Sequence, residues 1–184
     1  WDCYTLIGMS IGQGKISVTP IQMANLAAIL SNKGHYFIPH IVKKIYNPIN
    51  QETIKISKKF RTKNHTSIDK RHYDKIMDGM RLVLDSENGT AHSSKKEGLV
   101  IYGKTGTSEK TGSNSKKVPE HSSFIGFSNK DGKSVAIYVI VEDGGYGKDF
   151  AAPIATLMID KYLNGSISDR NLEEEITNKS PKIK

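Results

Sequence analysis

Three apolar runs punctuated by polar and turn-forming residues fill residues 98–142, and they limit the fold more than any other feature of the chain. The first begins Leu99-Val100-Ile101-Tyr102 and ends in Lys104-Thr105-Gly106-Thr107; the others cover 122–128 and 134–142. Each has strand length, and the first reads as a buried strand. A polar loop joins the first two, and Asp131-Gly132 turns the second into the third. Strands joined by hairpins lie antiparallel. A helix is expected at 149–163, ended by Asn164-Gly165. An antiparallel sheet with flanking helices makes the fold class α+β.

Upstream, Thr19-Pro20-Ile21-Gln22 reads as a helix start. Thr19 can cap, Pro20 suits the first helical position, and Gln22 stands where a capping box needs it. Ile21, Met23, Ala24, Leu26, Ala27, Ile29 and Leu30 make this helix apolar almost all round, which predicts burial. Gly34 stops it. A short strand is expected at 37–45, with Pro39 confining its start to an edge. Residues 47–63 are polar, with a hairpin around Ile54 and Ile56 as one arrangement. A second helix is expected at 67–84, where Tyr73, Ile76, Met77, Met80, Val83 and Leu84 recur at helical spacing. Asn88-Gly89 then marks a turn. From Ser166 the chain is polar, with Glu173-Glu174-Glu175 and a Lys-rich end, so 166–184 is expected to be an unordered tail behind a domain portion at 1–165.

Composition narrows the function. The net charge of +8 comes from Lys spread along the whole chain, with few Arg and no basic stripe interleaved with aromatics. Nucleic-acid binding is therefore not expected. The single Cys3 excludes an internal disulfide and a thiolate zinc cluster, and the six His lack metal-ligand spacing. Gly144-Gly145-Tyr146-Gly147 lacks the order of a phosphate cradle. No metal and no cofactor are expected. No apolar run reaches the length of a membrane span, and no signal peptide is present.

Ser-x-x-Lys, the pattern of an acyl-transfer nucleophile, occurs at Ser67/Lys70, Ser93/Lys96 and Ser113/Lys116. About two such spacings are expected by chance in a chain this rich in Ser and Lys. An activating Lys must be desolvated so that it can be neutral. Lys70 is followed by Arg71 and His72 and should stay charged, so Ser67 is expected to cap the second helix instead. Ser86-Glu87-Asn88 is read as a turn.

Several words of the sequence fall in one order. Ile11-Gly12-Gln13-Gly14, Val18-Thr19-Pro20-Ile21-Gln22-Met23-Ala24 and Asn32-Lys33-Gly34 come first. Gly89-Thr90-Ala91, Gly103 to Thr107, His121 to Phe127 and Ala151-Ala152-Pro153-Ile154-Ala155 follow. From about residue 7 to residue 164 this series resembles the class B penicillin-binding proteins, and the Gly-Gln-Gly form resembles the cell-elongation type, penicillin-binding protein 2. Two positions depart from the family pattern: Ser123 stands where Trp is usual, and the loop 108–120 is unusually rich in Ser and Lys.

The resemblance implies the C-terminal part of the penicillin-binding/serine β-lactamase transpeptidase fold. It implies a peptidoglycan D,D-transpeptidase that crosslinks stem peptides by serine acyl transfer and binds penicillin. The Ser-x-x-Lys nucleophile and the Ser-x-Asn loop would then lie upstream, as would an N-terminal anchor on the periplasmic face of the inner membrane. The start at Trp1-Asp2-Cys3, in mid-pattern, agrees with a fragment, inactive alone. Such chemistry needs an activated Ser, a proton shuttle, donors for the tetrahedral oxyanion and a cation for the substrate carboxylate. The resemblance makes Lys104 that cation and Thr105 a second carboxylate contact. Gly106 admits the substrate backbone to the strand edge, and the Thr107 N–H becomes one oxyanion donor. His121 matches a position commonly His in the family, at the site rim or in a structural role. Expected partners are the D-alanyl-D-alanine stem peptide, β-lactam antibiotics and the glycosyltransferase of the elongation complex. Two alternatives stand beside this: a serine β-lactamase or penicillin sensor, against which the Gly-Gln-Gly and Thr-Pro-x-Gln words argue, and a non-catalytic cell-wall binding module.

Overall fold

The computed structural model describes residues 2–13, 16–108 and 120–179. In chain order the elements are α1 Cys3–Ser10, α2 Pro20–Ser31, β1 His35–Tyr36, β2 Ile45–Tyr46, β3 Thr53–Ile54, β4 Asn64–His65 and α3 Arg71–Asp85. Then follow β5 Ile101–Ser108, β6 His121–Lys130, β7 Lys133–Val141, α4 Ala151–Asn164 and α5 Arg170–Asn178. The fold is α+β, centred on an antiparallel sheet of order β5-β6-β7. Asp131 (φ 49°) and Gly132 (φ 76°) form the β6–β7 turn, and two successive left-handed residues are what a two-residue hairpin of this twist demands.

Strand alternation assigns the two faces. Ile101, Gly103, Thr105 and Thr107 share one face with their partners Ser128, Gly126, Phe124 and Ser122. This face carries the core, where Phe124 and Ile101 meet Leu84 of α3, Ala91, and Ala151, Ala152, Ala155 and Ile159 of α4. Phe124 is wholly buried, and a Cβ at Gly103 would overlap its ring. The run of small residues on α4 lets that helix approach the sheet closely. α2 lies against β6 and β7 without touching α4, so it covers the opposite face.

The α2 start follows the local chemistry, with Pro20 first in the helix and the Thr19 N–H donating to Gln22 Oε1 at 2.7 Å. Its expected burial does not follow. Only Ala27 is fully buried, while Ile21 and Leu26 stay 59% and 42% exposed, because β6 and β7, with smaller contacts from β1 and α3, cover only part of the helix. The strand expected at 37–45 does not form: 37–44 belong to no strand and only Ile45 enters β2, and Pro39 has no N–H for a ladder. β2 pairs with β3 through Ile45 and Ile54, giving the hairpin at Ile54. α3 begins at Arg71, not at Ser67; Asp69 Oδ1 accepts from the Arg71 N–H at 3.0 Å and closes the turn before the helix. Of the residues at helical spacing, Tyr73, Met80 and Leu84 are buried and Met77 and Val83 half-buried, while Ile76 stays exposed.

The polar stretch after Gly165 holds the helix α5, and tertiary anchors hold that helix in place. Asp160, at 1% exposure on α4, accepts from Asn164 Nδ2 at 2.6 Å and from the N–H and the hydroxyl of Ser168, each at 2.8 Å. Lys179 donates to the Asp149 carbonyl at 3.0 Å and lies over the Phe150 ring. Burial pushes the Asp160 carboxyl up, but the three hydrogen bonds and the charge of Lys96 outweigh it and leave the group below its ordinary value. A carboxyl with a lowered folded-state pKa stabilises the fold fully above its unfolded value and loses that contribution as pH falls through the folded one. Deleting residues 166–184 should therefore lower stability by about 1.5–3 kcal/mol at neutral pH, the scale of hydrogen bonds to a charged group. The difference should shrink as pH falls below the ordinary carboxyl range and Asp160 becomes protonated in the folded state. Denaturant midpoints that coincide at pH 7 would show that the α5 segment contributes nothing.

Candidate functional site

β5 is the edge of the sheet, and no described strand pairs with its outer side. In antiparallel pairing, successive residues turn their N–H and C=O alternately toward and away from the neighbouring strand. The Thr107 carbonyl accepts from Gln13 Nε2 at 3.2 Å, so it faces outward, and the Thr107 N–H faces outward with it. By the same alternation Gly106 pairs inward with Ser123, and Thr105 faces outward. Lys104 extends from the exposed side of the strand and curls its ammonium onto the Thr105 carbonyl at 2.7 Å. One cation, two outward N–H groups and two outward carbonyls thus line a short length of edge that no described strand covers. An anionic peptide end laid along that edge would meet both a charge and strand-type hydrogen bonds.

Contacts from distant parts of the chain hold this edge. The Thr105 hydroxyl is 3.0 Å from that of Thr90, on the sheet face opposite Lys104. A Cβ at Gly106 would overlap the Ser123 side chain. Above the same ladder runs the loop leading to α4. There a Cβ on Gly147 would stand 2.5 Å from the Ser123 carbonyl and 2.7 Å from that of Gly106. Ser122 secures this loop, its hydroxyl donating to the Tyr146 carbonyl at 2.8 Å and accepting from the Ala151 N–H at 3.1 Å. His121 Nδ1 accepts from the Asp143 N–H at 3.1 Å, which places the proton of a neutral ring on Nε2.

The two Ser-x-x-Lys patterns among the described residues do not join this edge. Ser67 and Lys70 are both exposed, ahead of α3. Ser93 is exposed in the short turn His92–Ser94, and Lys96 acts on Asp160 instead. Ser113 and Lys116 lie outside the described residues, as does Gly14. Ser86 ends α3, its hydroxyl accepting from the Asn88 N–H at 3.4 Å, so Ser86-Glu87-Asn88 is a turn.

Residues 5–160 match the penicillin binding protein transpeptidase domain. The chain belongs to the penicillin-binding protein transpeptidase family. Among its relatives, the peptidoglycan D,D-transpeptidase MrdA of Acinetobacter baumannii is 32% identical over 178 residues, covering 89% of this chain and 25% of that protein. The crystal structure of PBPA from Mycobacterium tuberculosis superposes with a TM-score of 0.69 at 27% identity, over 88% of this chain and 36% of that one. A ceftriaxone acyl-enzyme complex of penicillin-binding protein A from M. tuberculosis superposes at 0.64 with 25% identity, over 88% and 35%. The chain spans about a fifth to a third of the length of the curated relatives it matches.

Within this family the chain reads as part of a class B transpeptidase domain, as the order of its sequence words implies. Sequence reasoning found the strand at Lys104-Thr105-Gly106-Thr107 but missed what Gln13, Thr90, Ser122 and Gly147 contribute to it. The signal for two of them was present: Gln13 is the centre of Gly-Gln-Gly, and Thr90 that of Gly89-Thr90-Ala91. Ser123, in place of the usual Trp, is 6% exposed and fills the space beneath Gly106.

Proposed function

We propose that this chain is the C-terminal part of a peptidoglycan D,D-transpeptidase whose Ser-x-x-Lys nucleophile and Ser-x-Asn loop lie upstream of Trp1. The observation that carries the proposal is the outward pair of Thr107 backbone groups beside the Lys104 ammonium on a free sheet edge. The upstream Ser attacks the D-alanyl carbonyl, the terminal D-alanine leaves, and the amine of a second stem peptide takes the acyl group. Lys104 and the Thr105 hydroxyl hold the substrate carboxylate, Gly106 admits its backbone, and the Thr107 N–H donates to the oxyanion. β-Lactams occupy the same edge; the related ceftriaxone acyl-enzyme supports this.

Exposed apolar side chains support the view that more of the domain packs on this chain. Tyr4, Ile7, Ile11, Ile21, Ile41 and Ile49 are all more than half exposed, and they crowd the first third of the sequence. Apolar surface of that extent marks an interface. No helix of the described residues is long and apolar enough to cross a membrane, so an anchor on the periplasmic face belongs, in this proposal, to the upstream part. The elongation-complex glycosyltransferase is the proposed protein partner.

Labelled penicillin and mass spectrometry test the assignment. The full-length protein should carry one long-lived adduct, on a Ser upstream of Trp1, and residues 1–184 alone should carry none. An adduct on Ser67 or Ser93 would place the nucleophile inside this chain. Rapid hydrolysis of the adduct would favour a β-lactamase, and no adduct at all a non-catalytic wall-binding module.

A further inference from the structure

The glutamine of Gly-Gln-Gly makes a contact that its place in a sequence motif does not explain. Gln13 lies just beyond α1, and its half-buried side chain donates to the Thr107 carbonyl at 3.2 Å, across 94 positions of sequence. α1 itself packs on no other described element, so this bond is not a by-product of a packed helix. It ends on the one residue whose backbone the proposed reaction uses.

We infer that Gln13 is a positioning residue for acyl transfer, holding Thr107 so that its N–H points at the developing oxyanion. The inference rests on the oxyanion role proposed for that N–H. Thr107 follows Gly106, the residue type with the softest backbone, and no described strand pairs with its outer edge. The ladder fixes Gly106 on one side through Ser123. Gln13 fixes the carbonyl on the other side, so the backbone of Thr107 is held at both ends. A donor held in place before reaction needs no reorganisation when charge develops. The carbonyl has two lone pairs, so a bond from Gln13 leaves one for an amide of the bound peptide.

Stopped-flow acylation of the full-length protein by a labelled penicillin separates the non-covalent Kd from the acylation rate constant. Gln13→Met keeps length and removes the donor; its rate constant should fall about three- to tenfold, the effect of one neutral hydrogen bond, with Kd within about twofold of wild type. Gln13→Glu sets an acceptor against an acceptor and should be slower than Gln13→Met. The two variants share nearly the same shape, so a packing defect would not produce the order Gln, Met, Glu. Lys104→Ala is measured beside them. If it slows acylation while both Gln13 variants keep the wild-type rate constant, the inference fails and the site stands. If Lys104→Ala has no effect, the site assignment fails and the inference with it. A faster Gln13→Met would show that Gln13 competes with substrate, and a raised Kd with an unchanged rate constant would show a packing role; either overturns the inference.

Discussion

Replacing Lys104 by alanine in the full-length protein is expected to slow acylation by a labelled penicillin at least ten- to hundredfold. The range follows from the loss of a hydrogen bond to a charged group, about 1.5–3 kcal/mol. It is a lower bound, because Lys104 is exposed here and a cleft closed by the upstream half would strengthen its pull on a carboxylate. The fold should not suffer. Lys104 contributes no side chain to the core, and its ammonium bonds only the outward Thr105 carbonyl at 2.7 Å among the described groups. Lys104→Arg keeps the charge but carries a wider, planar and differently hydrated head, so rescue should be partial. Wild-type rates in the alanine variant would remove β5 from the site.

The parts of the fold legible in the sequence are those decided by neighbours along the chain. The β6–β7 hairpin follows from Asp131-Gly132, the α2 start from Thr19, Pro20 and Gln22, and the α4 end from Gly165 at φ 84°. Tertiary effects defeated most of the other expectations. An apolar α2 predicts burial, yet burial needs partners all round the helix, and the described elements cover only part of it. α5 has the composition of an unordered tail, and what orders it is non-local: Leu172 and Ile176 are half-buried, Ser168 bonds Asp160, and Lys179 bonds Asp149. Ser67 had the right residue type for a cap but lost to Asp69, which stands closer to the first helical turn.

The candidate site divides in the same way. Lys104-Thr105-Gly106-Thr107 is legible because a Lys beside small residues at a strand end is a local pattern. Which of those residues turns its N–H outward depends on strand register, and Gly106 opposite Ser123 fixes that only once the sheet is assembled. Gln13 and Gly147 reach the edge from remote loops. Their Gly-rich surroundings signal close backbone approach without saying to what.

Thr107→Pro should have the larger effect, a loss of about 10²–10³ in acylation rate, since it deletes one oxyanion donor. Proline inside a sheet normally removes a ladder bond and destabilises the strand. Here that cost is avoided. The Thr107 N–H points to the outer side of an edge strand, a position where proline is tolerated in a sheet, and Gly106 before it is already extended, as a residue preceding proline prefers to be. The variant should therefore melt close to wild type, and its fold can be checked before its rate. Thr107→Ser keeps both amide and hydroxyl and should retain most activity. Thr107→Val keeps the amide, loses the hydroxyl, and should fall between the two. This order separates backbone from side chain: a site that used only the hydroxyl would make the valine and proline variants equally slow. A folded proline variant acylating within about threefold of wild type would exclude the Thr107 N–H from the oxyanion hole. The second donor would then have to come from another strand, and the bond from Gln13 would lose its catalytic meaning.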